Sequence, residues 1–170
     1  MKYRLNPIKA GLPFTVALLW IAATGAAWAG GWNDYKPANL SDSMARYALE
    51  FKEAGFQKGA VNINIHPGDP LRVTVRYLGN QRELDARRGT LIVDMWGKSL
   101  RMDREMLART FQKEIEVEEN GRTYWLPIQD ALLPPLEKEV GRNGAVELWV
   151  VFIGAIEKDM VFLVNEFQAQ

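Results

Sequence analysis

Glu114-Ile115-Glu116-Val117-Glu118-Glu119-Asn120-Gly121-Arg122-Thr123-Tyr124-Trp125-Leu126-Pro127-Ile128 is the stretch from which the fold can be read. Glu114, Glu116 and Glu118 alternate with Ile115 and Val117, the period-2 pattern of a strand with one buried and one wet face. Asn120-Gly121 supplies the two residues that tolerate the positive φ of a type I′ turn. Thr123 to Ile128 then returns as the second strand of a hairpin. Tyr124 and Trp125 are consecutive, so a regular strand sends them to opposite faces. Whichever faces out, with Pro127 beside Trp125, is a candidate stacking or partner surface. The glutamates are expected to form a solvated face that discourages edge-to-edge pairing. A calcium loop would gather oxygen ligands on a tightly turned backbone, whereas these recur about 7 Å apart along a strand.

Upstream of the hairpin, Thr90-Leu91-Ile92-Val93-Asp94-Met95-Trp96 reads as a strand apolar on most of both faces, bent at Gly97 and continued by Leu100 and Met102. Residues 103 to 111 suit a brief helix. Downstream, Asp130 to Val140 places Leu132, Leu133, Leu136 and Val140 on one side of a short helical connection, with Pro134-Pro135 at its start and Gly141 at its end. Val146 to Ile153 and Met160 to Phe167 close the chain as two apolar strands joined by Gly154 to Asp159. Val150-Val151-Phe152-Ile153 is apolar on both faces, so this strand is expected to be covered on both sides.

The order from Thr90 to Phe167 is thus β-β-β-α-β-β, and it resembles the OB-fold, a five-stranded Greek-key barrel with its helix between strands three and four. The resemblance implies a mainly β, α+β domain built on a small OB-like barrel with an added N-terminal helix and hairpin. The rival architecture is an open antiparallel sheet with helices packed on one face.

The added part begins after an extended lead-in, residues 30 to 38, whose Trp32 and Tyr35 are expected to dock on the body. Met44, Tyr47, Ala48 and Phe51 fall at i, i+3, i+4 and i+7, giving a helix over about 40 to 54, with Asn39 or Ser41 to cap it and Gly55 at its end. Val61, Ile63 and Ile65, then Leu71, Val73, Val75 and Tyr77, alternate on either side of the turn His66-Pro67-Gly68-Asp69-Pro70, forming a hairpin with one wet face. Gly79 to Gly89 is highly charged and reads as a loop or helical turn.

At the N-terminus, Lys2, Arg4 and Lys9 precede an apolar run from Leu12 to Ala23, and Ala27-Trp28-Ala29 offers small side chains one and three residues before a cut after Ala29. Residues 1 to 29 therefore read as a secretory signal, in preference to a retained membrane anchor, because Pro13, Thr15, Thr24 and Gly25 interrupt the run. The expected product is periplasmic or secreted, with 141 residues in one domain. The chain has no cysteine, which excludes disulfides, a thiol nucleophile, thiolate metal sites and a lipid anchor on cysteine. Three of the 21 basic residues lie in the leader, so the domain carries 18 against 21 acidic ones and a formal charge of −3. That balance argues against nucleic acid as a partner.

His66, the single histidine, reads as a residue of a solvated turn. Asp94 interrupts an apolar run, on the side of Ile92 and Trp96. It either faces solvent beside a cross-strand arginine or lies in a cavity with Trp96 and Trp149. Arg72, Arg76, Arg82, Arg87 and Arg88 suggest a basic patch, which Glu83 and Asp85 interrupt. The candidate binding residues are Asp94, Trp96, Tyr124, Trp125, Arg72 and Arg76, with no catalytic set, no metal ligands and no cofactor. These features lead to an exported, non-enzymatic binding or assembly module that recognises an envelope protein or polymer. The alternatives are a carrier of a small apolar ligand such as a lipid, held between the helix at 40 to 54 and the sheet, and a hydrolase that uses Asp94 with a glutamate.

Overall fold

The computed structural model describes residues 34–53, 70–100 and 102–170. Residues 1–29, expected as a secretory signal, Trp32, the strand expected at 61–65 and His66 lie outside the described residues. The elements in chain order are β1 (Lys36–Pro37), α1 (Leu40–Glu53), β2 (Pro70–Glu83), α2 (Ala86–Leu100), α3 (Arg104–Thr110), β3 (Lys113–Glu119), β4 (Arg122–Ile128), a 3-10 turn (Asp130–Leu132), α4 (Leu133–Glu139), β5 (Ala145–Ile156) and β6 (Asp159–Ala169). The fold is α+β and mostly strand.

The hairpin expected about Asn120-Gly121 is β3–β4. Glu114 faces Pro127, Glu116 faces Trp125 and Glu118 faces Thr123. Asn120 and Gly121 take φ of 53° and 76° at its tip, as a type I′ turn requires. Ile115, Val117, Leu126 and Ile128 are fully buried. Downstream, α4 carries a proline in its first turn and buries Leu133 and Leu136, and β5 and β6 form the final hairpin. These strands reach Ile156 and start at Asp159, so the connection is a tight turn at Glu157–Lys158, shorter than the expected Gly154 to Asp159.

Two expectations are corrected upstream. Residues 90 to 102 do not form a bent strand: Thr90 to Leu100 belong to the helix α2. Leu91, Ile92 and Met95 are buried together, a spacing that one helical face can present and an alternating strand cannot. Asp85 starts this helix by accepting hydrogen bonds from the backbone N–H groups of Arg87 (3.0 Å) and Arg88 (3.3 Å). The segment from Gly79 is not a loop either, since β2 runs on to Glu83. Its pairing with β3 shifts between Tyr77 and Gln81. Gly79, with φ +78°, lies at this irregularity, where a Cβ would stand 2.7 Å from Cγ of Arg142. The bulge admits the extra residues and turns the charged end of β2 alongside β3.

The strands form one sheet in the order β1-β2-β3-β4-β6-β5, and β2 also pairs with β5 from Pro70↔Val151 to Arg76↔Ala145. That second pairing joins β2, β3, β4, β6 and β5 into a ring, in which β4 and β6 meet in parallel at Ile128↔Val164. The strand that starts the ring is β2, not residues 90 to 102. Inside lies one core, with Val73, Val75, Tyr77, Val117, Leu148 and Phe162 among its members. Outside, Trp149, Val151, Ile153, Val161 and Leu163 of β5 and β6 form a second core with Leu91, Ile92 and Met95 of α2 and Leu107 and Phe111 of α3. The two cores explain why β5 is apolar on both faces.

Candidate functional site

Glu114 is the centre of the most unusual polar arrangement in the molecule. The register of β3 places it beside Arg82 of β2 and opposite Pro127 of β4, and its side chain is 0% exposed. A carboxylate stripped of water is costly unless both oxygens find charged donors. Here Arg82 Nε donates to Oε2 at 2.6 Å and Arg88 Nη1 donates to Oε1. Arg88 comes from the first turn of α2 and is itself buried. Its Nη1 also donates to the Trp125 carbonyl oxygen at 2.9 Å, while Nε (3.1 Å) and Nη2 donate to Asp159 at the start of β6. Burial by itself would lower the pKa of Arg88. The hydrogen bond to Asp159 and the charges of Asp159 and Glu114 outweigh that effect and hold the guanidinium above its ordinary value.

Arg82 has a second contact. Its Cζ lies 4.2 Å from the centroid of the Trp125 ring, a cation–π stack. The same outer face of β2 and β3 continues as a ladder, with Asn80 Nδ2 donating to Glu116 at 2.6 Å and Arg76 paired with Glu118. At the far end, Glu119 accepts from the backbone N–H groups of Leu40 and Ser41 (both 2.7 Å) and from Ser41 Oγ (2.6 Å), capping α1 from a distant strand. The expected solvated acidic edge is therefore a row of partnered carboxylates, two of them buried.

Between the start of α2 and the β5–β6 turn lies an open cleft of about 420 Å³. Asp85, Arg87 and Arg88 form one wall, Glu157, Lys158 and Asp159 the other, and Arg82 and Ile156 complete the lining. Arg87 is loosely paired with Asp85 (3.6 Å) and with Glu157 (3.5 Å). Asp85 is itself shifted: desolvation pushes its pKa up, but the backbone hydrogen bonds from Arg87 and Arg88 and the charges of those residues bring it below the ordinary value.

The residues singled out from sequence fall in several places. Trp125 belongs to the face beside the cleft, and Tyr124 packs toward the inner core, so the two rings do go opposite ways. Arg76 is on the same outer face, paired with Glu118. Arg72 lies further along β2, donating from Nε to the Tyr35 carbonyl oxygen at 3.1 Å and sitting 4.0 Å from Glu147. Asp94 is on α2, 2.8 Å from Arg104 of α3, and not on a strand. Trp96 is on the same helix, its side chain lying outside the described residues. Beside that pair, α2 and α3 enclose a smaller hollow of about 260 Å³ lined by Ile92, Val93, Leu107 and Phe111 among others. The interface between α1 and the sheet, expected as a place for an apolar ligand, holds the Tyr47 ring stacked on Phe152 at 3.8 Å with Phe51 and Phe162 around them. Among the described residues, no three His, Asp or Glu side chains converge as metal ligands, and no helix is long and apolar enough to cross a membrane.

The sequence singles out Glu114 only as one of a solvated acidic row and does not single out Asp159. No local signal sets Glu114 apart from Glu116 and Glu118, because its burial comes with Arg88 of α2, which the sequence pattern does not place beside it. Nothing local marks Asp159, because its partner Arg88 lies far away in the chain. The chain matches no protein-family model and no curated protein.

Proposed function

We propose that this chain is an exported, non-enzymatic binding module that holds a polar segment of an envelope protein or polymer in the cleft between α2 and the β5–β6 turn and on the adjoining β2–β3–β4 face. The observation that carries this reading is the cleft itself, lined by charged side chains of which Arg82 and Asp159 are held in place by the buried Glu114 and Arg88. Binding sites gain affinity when their polar groups are held in place before the ligand arrives.

The ring supports the reading further. Counted from β2, its strands pair in the order one-two-three-five-four and back to one, with α4 between strands three and four. We take this as an OB-like barrel, a fold whose ligand surface is the face of strands two and three together with the loops that follow strands one and four. Here those loops are the helical segment α2–α3 and the Glu157–Lys158 turn, the two walls of the cleft. Both oxygens of Glu114 are engaged by guanidinium groups, an arrangement that suits a fixed scaffold better than a carboxylate that must gain and lose a proton. The leader at residues 1 to 29 supports an envelope or extracellular address.

Site-specific photo-crosslinking in the producing cells tests this. A benzophenone amino acid replaces the exposed Arg87 in the cleft or, as a control, Leu49 on the exposed face of α1. The expected result is a discrete partner adduct from position 87 that is missing from position 49. Identical adduct patterns at the two sites, or none at position 87, overturn the reading.

A further inference from the structure

Arg82 differs from the other cations of the cleft. Its Nε is spent on Glu114 and one face of its guanidinium is laid on the Trp125 ring. Among the described residues neither of its terminal nitrogens donates to a protein group. Arg88, by contrast, uses all three nitrogens on Glu114, Asp159 and the Trp125 carbonyl oxygen. The acids that line the cleft are engaged as well: Asp159 by Arg88, Asp85 by the first turn of α2 and Glu157 by Arg87. Lys158, which lines the same cleft from the β5–β6 turn, has no carboxylate partner among the described residues.

We propose that the outer edge of the Arg82 guanidinium, with Lys158, is an oxyanion-binding subsite that takes a carboxylate or phosphate group of the ligand. The inference deepens the binding reading above and rests on it. An arginine fork matches two oxygens of one anionic group with two parallel N–H···O bonds. Most exposed arginines must surrender rotamer freedom to do this, whereas Arg82 is already anchored at Nε and stacked on an indole. The site is selective by geometry and not by field, because the acids around it balance its cations. A ligand with one anionic group that offers two oxygens, on an otherwise neutral, polar body, therefore fits better than a densely charged polyanion.

Titration of the protein, followed through the backbone amide resonances of the cleft residues in every variant and through the Arg82 side-chain Nε–H where arginine is present, tests the subsite. Galacturonate and inorganic phosphate are separate probes, and galactose is the neutral control. The expected result is a saturable shift with at least one oxyanion and none with galactose, and the probe that saturates identifies the anionic group. R82K keeps the charge and removes the fork, so it should weaken binding at least tenfold. K158Q, on the exposed β5–β6 turn, should weaken it severalfold, and thermal melts check that both variants are folded. Failure of both oxyanions to saturate, or undiminished binding in folded R82K, overturns the subsite. The crosslinking at position 87 leaves Arg82 and Lys158 in place and uses no added anion, so a partner adduct there without oxyanion binding would refute this inference alone.

Discussion

Individual carboxylates in this molecule do different work according to what their strand or turn places beside them. Glu114 is buried between two arginines, so Glu114→Gln should leave Arg88 undercompensated and cost on the order of 3–5 kcal/mol in urea unfolding. Asp159, about half exposed in the same network, should cost no more than about 1 kcal/mol when changed to Asn. If the two substitutions proved equal, the buried network would not be the anchor described here. Glu166 and Asp85 respond to pH with opposite signs. Burial chiefly, with repulsion from Glu139, raises the Glu166 pKa against the hydrogen bond from the Phe167 N–H. Its contribution to stability is thus complete below the ordinary carboxylate range and is lost as pH rises through the raised folded value. Glu166→Gln should therefore match the parent in acid and melt at a higher temperature near neutrality. Asp85, lowered in the fold, contributes above the ordinary range and loses its contribution as pH falls through the lowered value. Asp85→Asn should accordingly differ most from the parent at neutral pH and converge with it in strong acid. The presence of these side chains was legible in the sequence, and so was the outward turn of one ring of the Tyr124–Trp125 pair. Their partners were not, because Arg88–Asp159 and Leu40–Glu119 are contacts between segments whose juxtaposition only the closed ring decides.

At the scale of elements, local pattern was a sufficient guide from Lys113 onward and for the helix at 40, where it carried a turn signal or an unbroken period. The Asn120-Gly121 hairpin, the helix at 40, the proline-led helix before Gly141 and the two final strands all lie where alternation, helical spacing or turn chemistry places them. The failure at α2 has a physical cause. Thr90, Ile92 and Val93 are β-branched, and a run this apolar satisfies both periods at once, so length and tertiary contact decide. What decides here is the outer face of β5 and β6, which needs a cover wide enough for Trp149, Val151 and Ile153. Truncation of neighbouring side chains separates the two conformations. A strand would bury Val93 with Leu91 and Met95, whereas α2 leaves Val93 half-buried and buries Ile92. Ile92→Ala should cost about 2–5 kcal/mol by chemical denaturation. Val93→Ala should be nearly neutral, because the small loss of contact is offset by alanine's better helix propensity, about 0.5 kcal/mol. A larger cost at Val93 than at Ile92 would restore the strand.

For the molecule as a whole, the helical segment between β2 and β3 is both a wall of the cleft and the cover of the outer core. Its ends meet: the Leu84 N–H donates to the Gln112 carbonyl oxygen at 2.8 Å, so the chain leaves the ring and re-enters it at one place. A tight turn joining Leu84 to Gln112 can therefore replace residues 85–111 without stretching the ring. The inner core stays intact in such a variant, since its members come from β2 to β6, α1 and α4. The outer face loses its cover, exposing Trp149, Val151, Ile153, Val161 and Leu163 as one apolar patch. Glu114 loses Arg88 as well, so the excision carries Glu114→Gln to remove the buried charge. This shortened protein should keep a strand-type circular dichroism spectrum but self-associate and bind a hydrophobic dye. Replacing Val151 and Ile153 with threonine in it should return it toward a monomer, because both side chains point away from the inner core. A monomeric, dye-negative excision variant would mean that the outer core is not what α2 and α3 are for. The segment would then be retained for the cleft alone, and its apolar face would have to be explained by whatever the cleft binds.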